Sequence, residues 1–275
     1  MGGRLFVVAT PIGNLEDITL RAIRVLKEVS LIAAEDTRHT KKLLAHYSIG
    51  TPLTSCFEHN EKEKAPMLIA RIEEGADVAL VSDAGTPGIS DPGYRLIKLA
   101  VERGVEVVSI PGPSALVSVL SVSGLPLDEF TYKGFLPANP TRLRKLLLSM
   151  RGMEHTFVVF ESARRAVAAL KAIDEVLGDI EVIIGREMTK MHEEIIRGRA
   201  GELIKELSAR NLKGEITMVL RTESAQVTPV CVDDELESLL RSGFAIKDAA
   251  RTVAAETGLP KSEVYKKALA IKARL

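Results

Sequence analysis

The chain has 275 residues, 46% of them apolar, 4% aromatic and none Trp, which fits α/β packing on Val, Ile, Leu and Ala with room for two domains and a small third piece. Lys plus Arg and Asp plus Glu both total 37, so overall charge gives no warrant for a polyanionic partner, and no apolar run approaches the ~18 residues of a membrane span. Met1-Gly-Gly-Arg4 leads straight into Leu5-Phe-Val-Val8 without a signal-like segment, and Cys56 and Cys231 stand far apart, so the sequence predicts a reduced, cytoplasmic protein without disulfides.

Through the first ~125 residues, short β-rich runs alternate with helical periods, the pattern of a parallel sheet. Strands are expected at Arg4–Ala9, Leu31–Ala34, Leu53–Cys56, Asp77–Val81 and Glu106–Ile110. Helices are expected at Leu20–Val29, Thr40–Tyr47, Ala65–Glu74 and Tyr94–Arg103. Gly124-Leu-Pro126 closes this unit. A second follows with strands Phe130–Phe135, Thr156–Phe160, Glu181–Ile184, Glu193–Arg197 and Ile216–Arg221. Its helices are Thr141–Met150, Ala163–Leu177 and a short one near Glu202–Ala209. Two neighbouring strands are close enough for a hairpin, so a mixed sheet is expected. A polar stretch at Glu223–Pro229 reads as a linker. Beyond it, a helix running from Phe244 through Val253 stops at Gly258-Leu-Pro260, and Ser262 is placed to cap Glu263–Ala273. Such a pair is the helix-turn-helix pattern. The domains expected are 1–125, 126–226 and 230–275.

Charge is unevenly spread. Lys133 to Lys171 carries eight Lys/Arg against two acidic residues, and Phe244 to Leu275 seven against three. Basic faces on a neutral protein suit a polyanion approached from one side, although solvated helix faces account for either segment alone.

Asp83-Ala-Gly-Thr-Pro-Gly-Ile-Ser-Asp-Pro-Gly93 is the most informative segment. Three glycines and two prolines in eleven residues exclude a helix or strand interior. The apolar run Val78–Val81 delivers it to a sheet edge, where open α/β folds bind ligands and glycines permit close backbone approach. Thr10-Pro-Ile-Gly-Asn14, Glu35-Asp-Thr-Arg-His39 and Pro111-Gly-Pro-Ser-Ala115 are comparable turns. Thr10–Asp17 has a single Gly and a Pro, unlike a dinucleotide fingerprint. No P-loop occurs, and His and Cys lack metal-ligand spacing. Asp83 and Asp91 could hold Mg²⁺, but their glycine and proline neighbours favour loop-fixing hydrogen bonds. No metal is expected.

Taken in order, Thr10–Thr19, Ala34–Thr40, Ser82–Pro87 with Asp91-Pro-Gly93, and Pro111–Ala115 resemble the tetrapyrrole-methylase superfamily. Gly124-Leu-Pro126, Gly134-Phe-Leu-Pro137, Phe160-Glu-Ser162, Arg186-Glu-Met-Thr-Lys190 and Lys213-Gly-Glu215 extend the likeness to its branch that methylates a cytidine 2′-hydroxyl in 16S ribosomal RNA. The terminal helix pair resembles that branch's small C-terminal domain. Two segments depart from the pattern. Phe160-Glu-Ser-Ala-Arg-Arg165 stands for Tyr-Glu-Ser-x-His-Arg, and Gly185-Arg-Glu187 for Ala-Arg-Glu. The first substitution argues against an indispensable hydroxyl or imidazole there.

The resemblance implies two α/β domains of tetrapyrrole-methylase type with the cofactor cleft between them, plus a small helix-turn-helix-like C-terminal domain. It implies S-adenosylmethionine as cofactor, held mostly by backbone. Pro11, Gly13, Asp83, Gly85, Thr86, Ile89, Ser114 and Ala115 would approach it from the first domain. Phe160, Met188, Thr217 and Met218 would do so from the second, although core packing explains Phe160 and Met218 equally well. A 2′-hydroxyl is a weak nucleophile that needs help losing its proton. Asp36, Glu161, Glu187 and Lys190 stand at the implied cleft, with Glu187 or Asp36 as acceptor. An ion pair of Glu187 with Arg186 is the structural alternative. Arg38, His39, Arg164, Arg165, Arg186 and Lys190 would hold RNA, as would Lys261, Lys266 and Lys267 of the terminal helices. The implied partners are 16S rRNA in the assembled small subunit, its decoding region in particular, and a second copy of the chain. Two other readings stay open: a sister enzyme methylating a tetrapyrrole carbon, and a non-catalytic RNA-binding module with a vestigial cleft.

Overall fold

The computed structural model describes residues 2–223, 232–241, 245–257 and 259–274. Within the expected linker only Glu223 falls among them; Cys231, Phe244 and Gly258 lie outside. The chain divides into two compact units, 1–223 and 224–275.

Five parallel strands form the first sheet of the larger unit, in the order β3-β2-β4-β1-β5. They are β1 (Arg4–Val8), β2 (Leu31–Ala34), β3 (Leu53–Ser55), β4 (Val78–Val81) and β5 (Glu106–Ile110). Alternation along each strand sends successive side chains to opposite faces. Phe6, Val8, Ile32 and Ala34 pack under Ala22, Val25 and Leu26 of α1 (Leu20–Glu28) and Leu43 and Leu44 of α2 (Thr37–His46). Leu5, Leu31, Ala33 and Leu80 pack under Leu68, Ile69 and Ile72 of α3 (Glu61–Glu73) and Leu96 and Ala100 of α4 (Tyr94–Glu102).

Three helix starts differ from expectation. Asp36 caps α2, accepting the Arg38 N–H at 2.8 Å, so the helix begins three residues before Thr40. α3 was expected from Ala65 but begins at Glu61 and runs through Pro66. The reason lies across the fold. The buried Glu61 carboxylate accepts the Leu96 N–H of α4 at 3.0 Å, and this anchors the first turn of α3. α4 has no side-chain cap of its own, because Gly93 at φ 132 precedes it. Glu61→Ala is therefore expected to cost about 1–2 kcal/mol, the size of a lost cap. Urea unfolding measures it, and an unchanged midpoint would show the carboxylate idle.

The third difference is a helix absent from the expectation, α5 (Ala115–Ser123), capped by Ser114 and closed by Gly124 in the left-handed region. Although it follows β5, it packs on the second sheet, where Val119 and Leu120 meet Val158, Ile183 and Val219. That sheet runs β6-β7-β10-β8-β9, from β6 (Phe130–Phe135), β7 (His155–Ser162), β8 (Glu181–Arg186), β9 (Glu194–Arg199) and β10 (Glu215–Thr222). β6 and β7 are parallel and the other pairs antiparallel, with β8 and β9 forming the expected hairpin. Its opposite face is covered by α6 (Pro140–Leu148), α7 (Ala166–Leu177) and α8 (Ala200–Ser208).

The smaller unit has three described helices rather than the expected two: α9 (Val232–Arg241), α10 (Ile246–Thr257) and α11 (Lys261–Lys272). They share a core of Leu236, Leu240, Ala249, Val253, Val264 and Ala268. α9 starts with Asp233, Asp234 and Glu235 in its first turn, where acids suit the helix dipole. Ser262 is no cap: α11 begins at Lys261 after Pro260 and has no side-chain cap bond.

Candidate active site

β1 and β4 are neighbours, but the chain leaves β1 for α1 on one face and β4 for α4 on the other. This divergence opens a crevice at their C-terminal ends, the usual ligand position in such sheets. Its floor is stitched by two backbone bonds of 2.9 Å between Thr10 and Gly85. Gly85 sits at φ 75, and a Cβ there would meet nothing nearer than 3.7 Å, so the backbone conformation demands glycine and the outward side is open. The 83–93 loop is fixed by hydrogen bonds. Asp83 accepts the Asp36 N–H at 3.0 Å and gives its own N–H to Glu35 at 3.2 Å, while Gly88 N–H reaches Pro92 O at 3.2 Å.

The second sheet faces this crevice. Its register sets Phe160, Thr217 and Gly185 side by side. Phe160 meets Tyr132 and Phe135 edge-on at 5.1 and 5.4 Å. Between the two surfaces lies a cavity of about 670 Å³, ample for a cofactor-sized ligand.

Of the residues expected at the cofactor, Gly85, Thr86, Ile89, Ser114, Ala115, Phe160, Met188 and Thr217 line this cavity, as does Lys190. Pro11 adjoins the lining residue Ile12, and Asp83 adjoins Ala84. Gly13 serves another purpose. A Cβ there would lie 2.3 Å from Lys190 Cγ and 3.0 Å from Met188 O, so glycine lets the 10–14 turn seat on the 188–190 turn of the second sheet. Met218 is a correction. Neighbouring residues of a strand face opposite ways, and Met218, fully buried, lies in the core beneath α6–α8 while Thr217 faces the cavity.

The expected acids are engaged in structure. Asp36 caps α2 and holds the Arg38 guanidinium at 2.7 Å. Hydrogen bonds from Arg38 keep its carboxyl well below the usual range, and it does not line the cavity. Glu187 accepts Lys190 Nζ at 2.9 Å and the Glu215 N–H at 3.0 Å. Burial pushes its carboxyl up, but these bonds and the Lys190 and Arg186 charges outweigh it, leaving the acid lowered. A depressed, doubly bonded carboxylate is a poor proton acceptor. Glu187 and Thr189 take φ of 50 and 65, left-handed values that cost non-glycine residues. Glu187 thus reads as the brace of a tight turn that presents Met188 and Lys190.

The basic residues divide likewise. Arg186 gives Nε–H to Glu194 at 3.1 Å and Nη1 to Lys213 O at 3.2 Å, so it braces β8–β9 rather than standing ready for phosphate. Arg165 clamps Leu136 O and Pro137 O at 3.2 and 3.0 Å beside Glu161. Arg38, His39 and Arg164 are exposed, as are Lys261 and Lys266. Lys267 lies 3.4 Å from Asp233 within the smaller unit.

Phe135, Gly112 and Asp91 also line the cavity; each lies in a segment the sequence singled out, but none was named there as a cofactor or catalytic residue. Phe135 ends β6, within the Gly134-Phe-Leu-Pro137 motif. Asp91 was noticed only as a loop-fixing group, yet burial first, then the charge of Glu35, push its carboxyl up to about 6 against an opposing Ser82 hydrogen bond.

Residues 4–204 match the tetrapyrrole (corrin/porphyrin) methylases, and residues 232–272 match the RsmI C-terminal HTH domain. The chain belongs to the tetrapyrrole methylase family. Within that family it is similar to Ribosomal RNA small subunit methyltransferase I of Escherichia coli O157:H7, 44% identical over 97% of this chain and 95% of that protein. The protein of that name from Halalkalibacterium halodurans is 43% identical over 96% and 93%. The Thermotoga maritima one is 49% identical over 79% of this chain and 98% of its own length. Among solved structures, uroporphyrin-III C-methyltransferase from Thermus thermophilus, complexed with S-adenyl homocysteine, shares the fold at TM-score 0.56 and 21% identity, covering 82% of this chain and all of that one. Diphthine synthase does so at TM-score 0.60 and 18% identity, covering 80% and 90%. As a member of this family, the chain is a methyltransferase that uses S-adenosylmethionine.

Proposed function

We propose that this methyltransferase moves a methyl group from S-adenosylmethionine to the ribose 2′-hydroxyl of a cytidine in the decoding region of 16S rRNA, on the assembled small subunit, as a cytoplasmic homodimer. One observation carries the RNA reading: relatives bearing the small-subunit rRNA name align over nearly the whole chain, including the helical unit, at 43–44% identity. The cavity suits the donor. Ile12, Ala115, Phe160 and Met188 give it apolar walls, and the 84–86 backbone is open to the cavity around a left-handed Gly85. Bound there, S-adenosylmethionine supplies an electrophilic methyl carbon. Exposed Lys261 and Lys266 suit phosphate contact by α11, and with no net positive charge overall the salt dependence of binding should be moderate.

Tritiated S-adenosylmethionine should label small subunits that lack the modification and leave free 16S rRNA and uroporphyrinogen poorly labelled. Preferential labelling of uroporphyrinogen would instead favour a tetrapyrrole C-methylase. Failure to bind the donor at equilibrium would mark a non-catalytic module.

A further inference from the structure

The methyl-accepting hydroxyl must shed a proton, and the structure leaves one carboxylate placed to take it. Three acids line the cavity: Asp91, Glu161 and Glu215. Glu161 Oε1 accepts the Ser162 N–H at 2.7 Å, and its Oε2 lies 3.0 Å from Arg165 in a charge contact without a directed hydrogen bond. Glu215 Oε2 lies 3.0 Å from Lys190 Nζ. Among the described residues Asp91 has no ion-pair partner.

Its placement is built, not incidental. Ser90 immediately before it takes φ 65, a left-handed value that is costly for a non-glycine residue and collects at functional sites. That serine's hydroxyl bonds Tyr132 Oη of the second sheet at 2.5 Å. On the other side, Pro92 O accepts the Gly88 N–H, and Gly93 at φ 132 lies so close to Leu80 that a Cβ would stand 3.0 Å from Cδ2. Asp91 is thus pinned at both ends on the seam between the sheets.

We infer that Asp91 is the proton acceptor of the methyl transfer. The inference rests on the RNA 2′-O-methyl reading above. As the 2′-oxygen forms its bond to the methyl carbon, the carbon–sulfur bond breaks and its electron pair stays on sulfur, which becomes a neutral thioether. The hydroxyl proton passes to an Asp91 carboxylate oxygen and later to solvent. Charged and titratable groups around Asp91 are Glu35, Asp83 and Glu215, with Tyr132 reached through Ser90 and Lys190 across the cavity. Burial first, and then these acids, raise its affinity for a proton, bringing it toward the range in which a base works best at neutral pH.

The test compares wild type with Asp91→Asn on unmodified small subunits in single-turnover labelling from pH 5 to 8.5. The wild-type rate should rise tenfold per pH unit below about 6 and level off above. Asp91→Asn should lose that limb and run about 10²–10⁴-fold slower at pH 7.5, while its S-adenosylmethionine affinity and melting temperature stay near wild type. Carbon-13 spectra of labelled Asp carboxyls should lose one resonance titrating near 6. A variant within threefold of the wild-type rate would overturn the inference, as would one whose rate loss is matched by lost donor binding. Wild type that leaves the subunits unlabelled while binding the donor would sink the RNA reading itself.

Discussion

Replacing Gly185 by Ala should destabilise the larger unit by about 1–3 kcal/mol, the usual cost of forcing a methyl into a packed core. A Cβ at that position would lie 2.2 Å from Val119 Cγ2 and 3.0 Å from Met188 Sδ. Val119 is fully buried on α5, and a β-branched residue in a helix has essentially one rotamer to occupy, so it cannot swing aside. The residue pattern that this chain resembles carries Ala at 185, and the structure gives the departure a physical partner: Gly185 and Val119 share one volume. Val119→Ala alone should also destabilise, by leaving a cavity. The double variant should be more stable than the two costs summed by at least about 1 kcal/mol, because the added methyl fills the vacated space. Urea unfolding of the four proteins measures this. Strict additivity would show that the two positions do not compete.

Gly13→Val should cut methyl transfer by about 100-fold, the scale of a 1 Å misplacement at a reacting centre, with weaker donor binding. Its new side chain would collide with Lys190 Cγ, Thr189 Oγ1 and the Met188 carbonyl. Lys190 cannot yield without leaving Glu187 and Glu215, and the carbonyl is backbone. The 188–190 turn must therefore move, taking Met188 and Lys190 out of the cavity wall. Single-turnover labelling and equilibrium donor binding check the result. Wild-type values for both would mean that the two turns slide past each other at no cost.

The strands of the first sheet were legible because a strand covered on both faces reads as a short continuous apolar run. Val78–Val81 and Leu31–Ala34 are such runs, and their ends needed almost no revision. α5 was not legible, because Ala-Leu-Val-Ser-Val-Leu-Ser-Val-Ser mixes Val and Ser, both weaker helix formers than Ala or Leu, in a stretch whose helicity is decided by packing. At the site, glycines and prolines marked where the cavity lies, since their backbone demands are local. The acids were misread because a carboxylate's role depends on its partners. Nothing in Arg186-Glu-Met-Thr-Lys190 announces that Glu187 is spent on Lys190 and the Glu215 amide. The paired placement of Thr217 and Met218 was avoidable, since strand alternation allows only one of two neighbours to face the cleft.

Helix α5 leaves the first sheet and packs one side on the second, with Ser114 and Ala115 at its start in the cavity wall. A change in the gap between the sheets would carry that helix with the second sheet and bend the 111–114 segment joining it to β5, since a few loop residues can absorb such a change. The width of the cleft and the position of its 114–115 wall are accordingly coupled through that one segment.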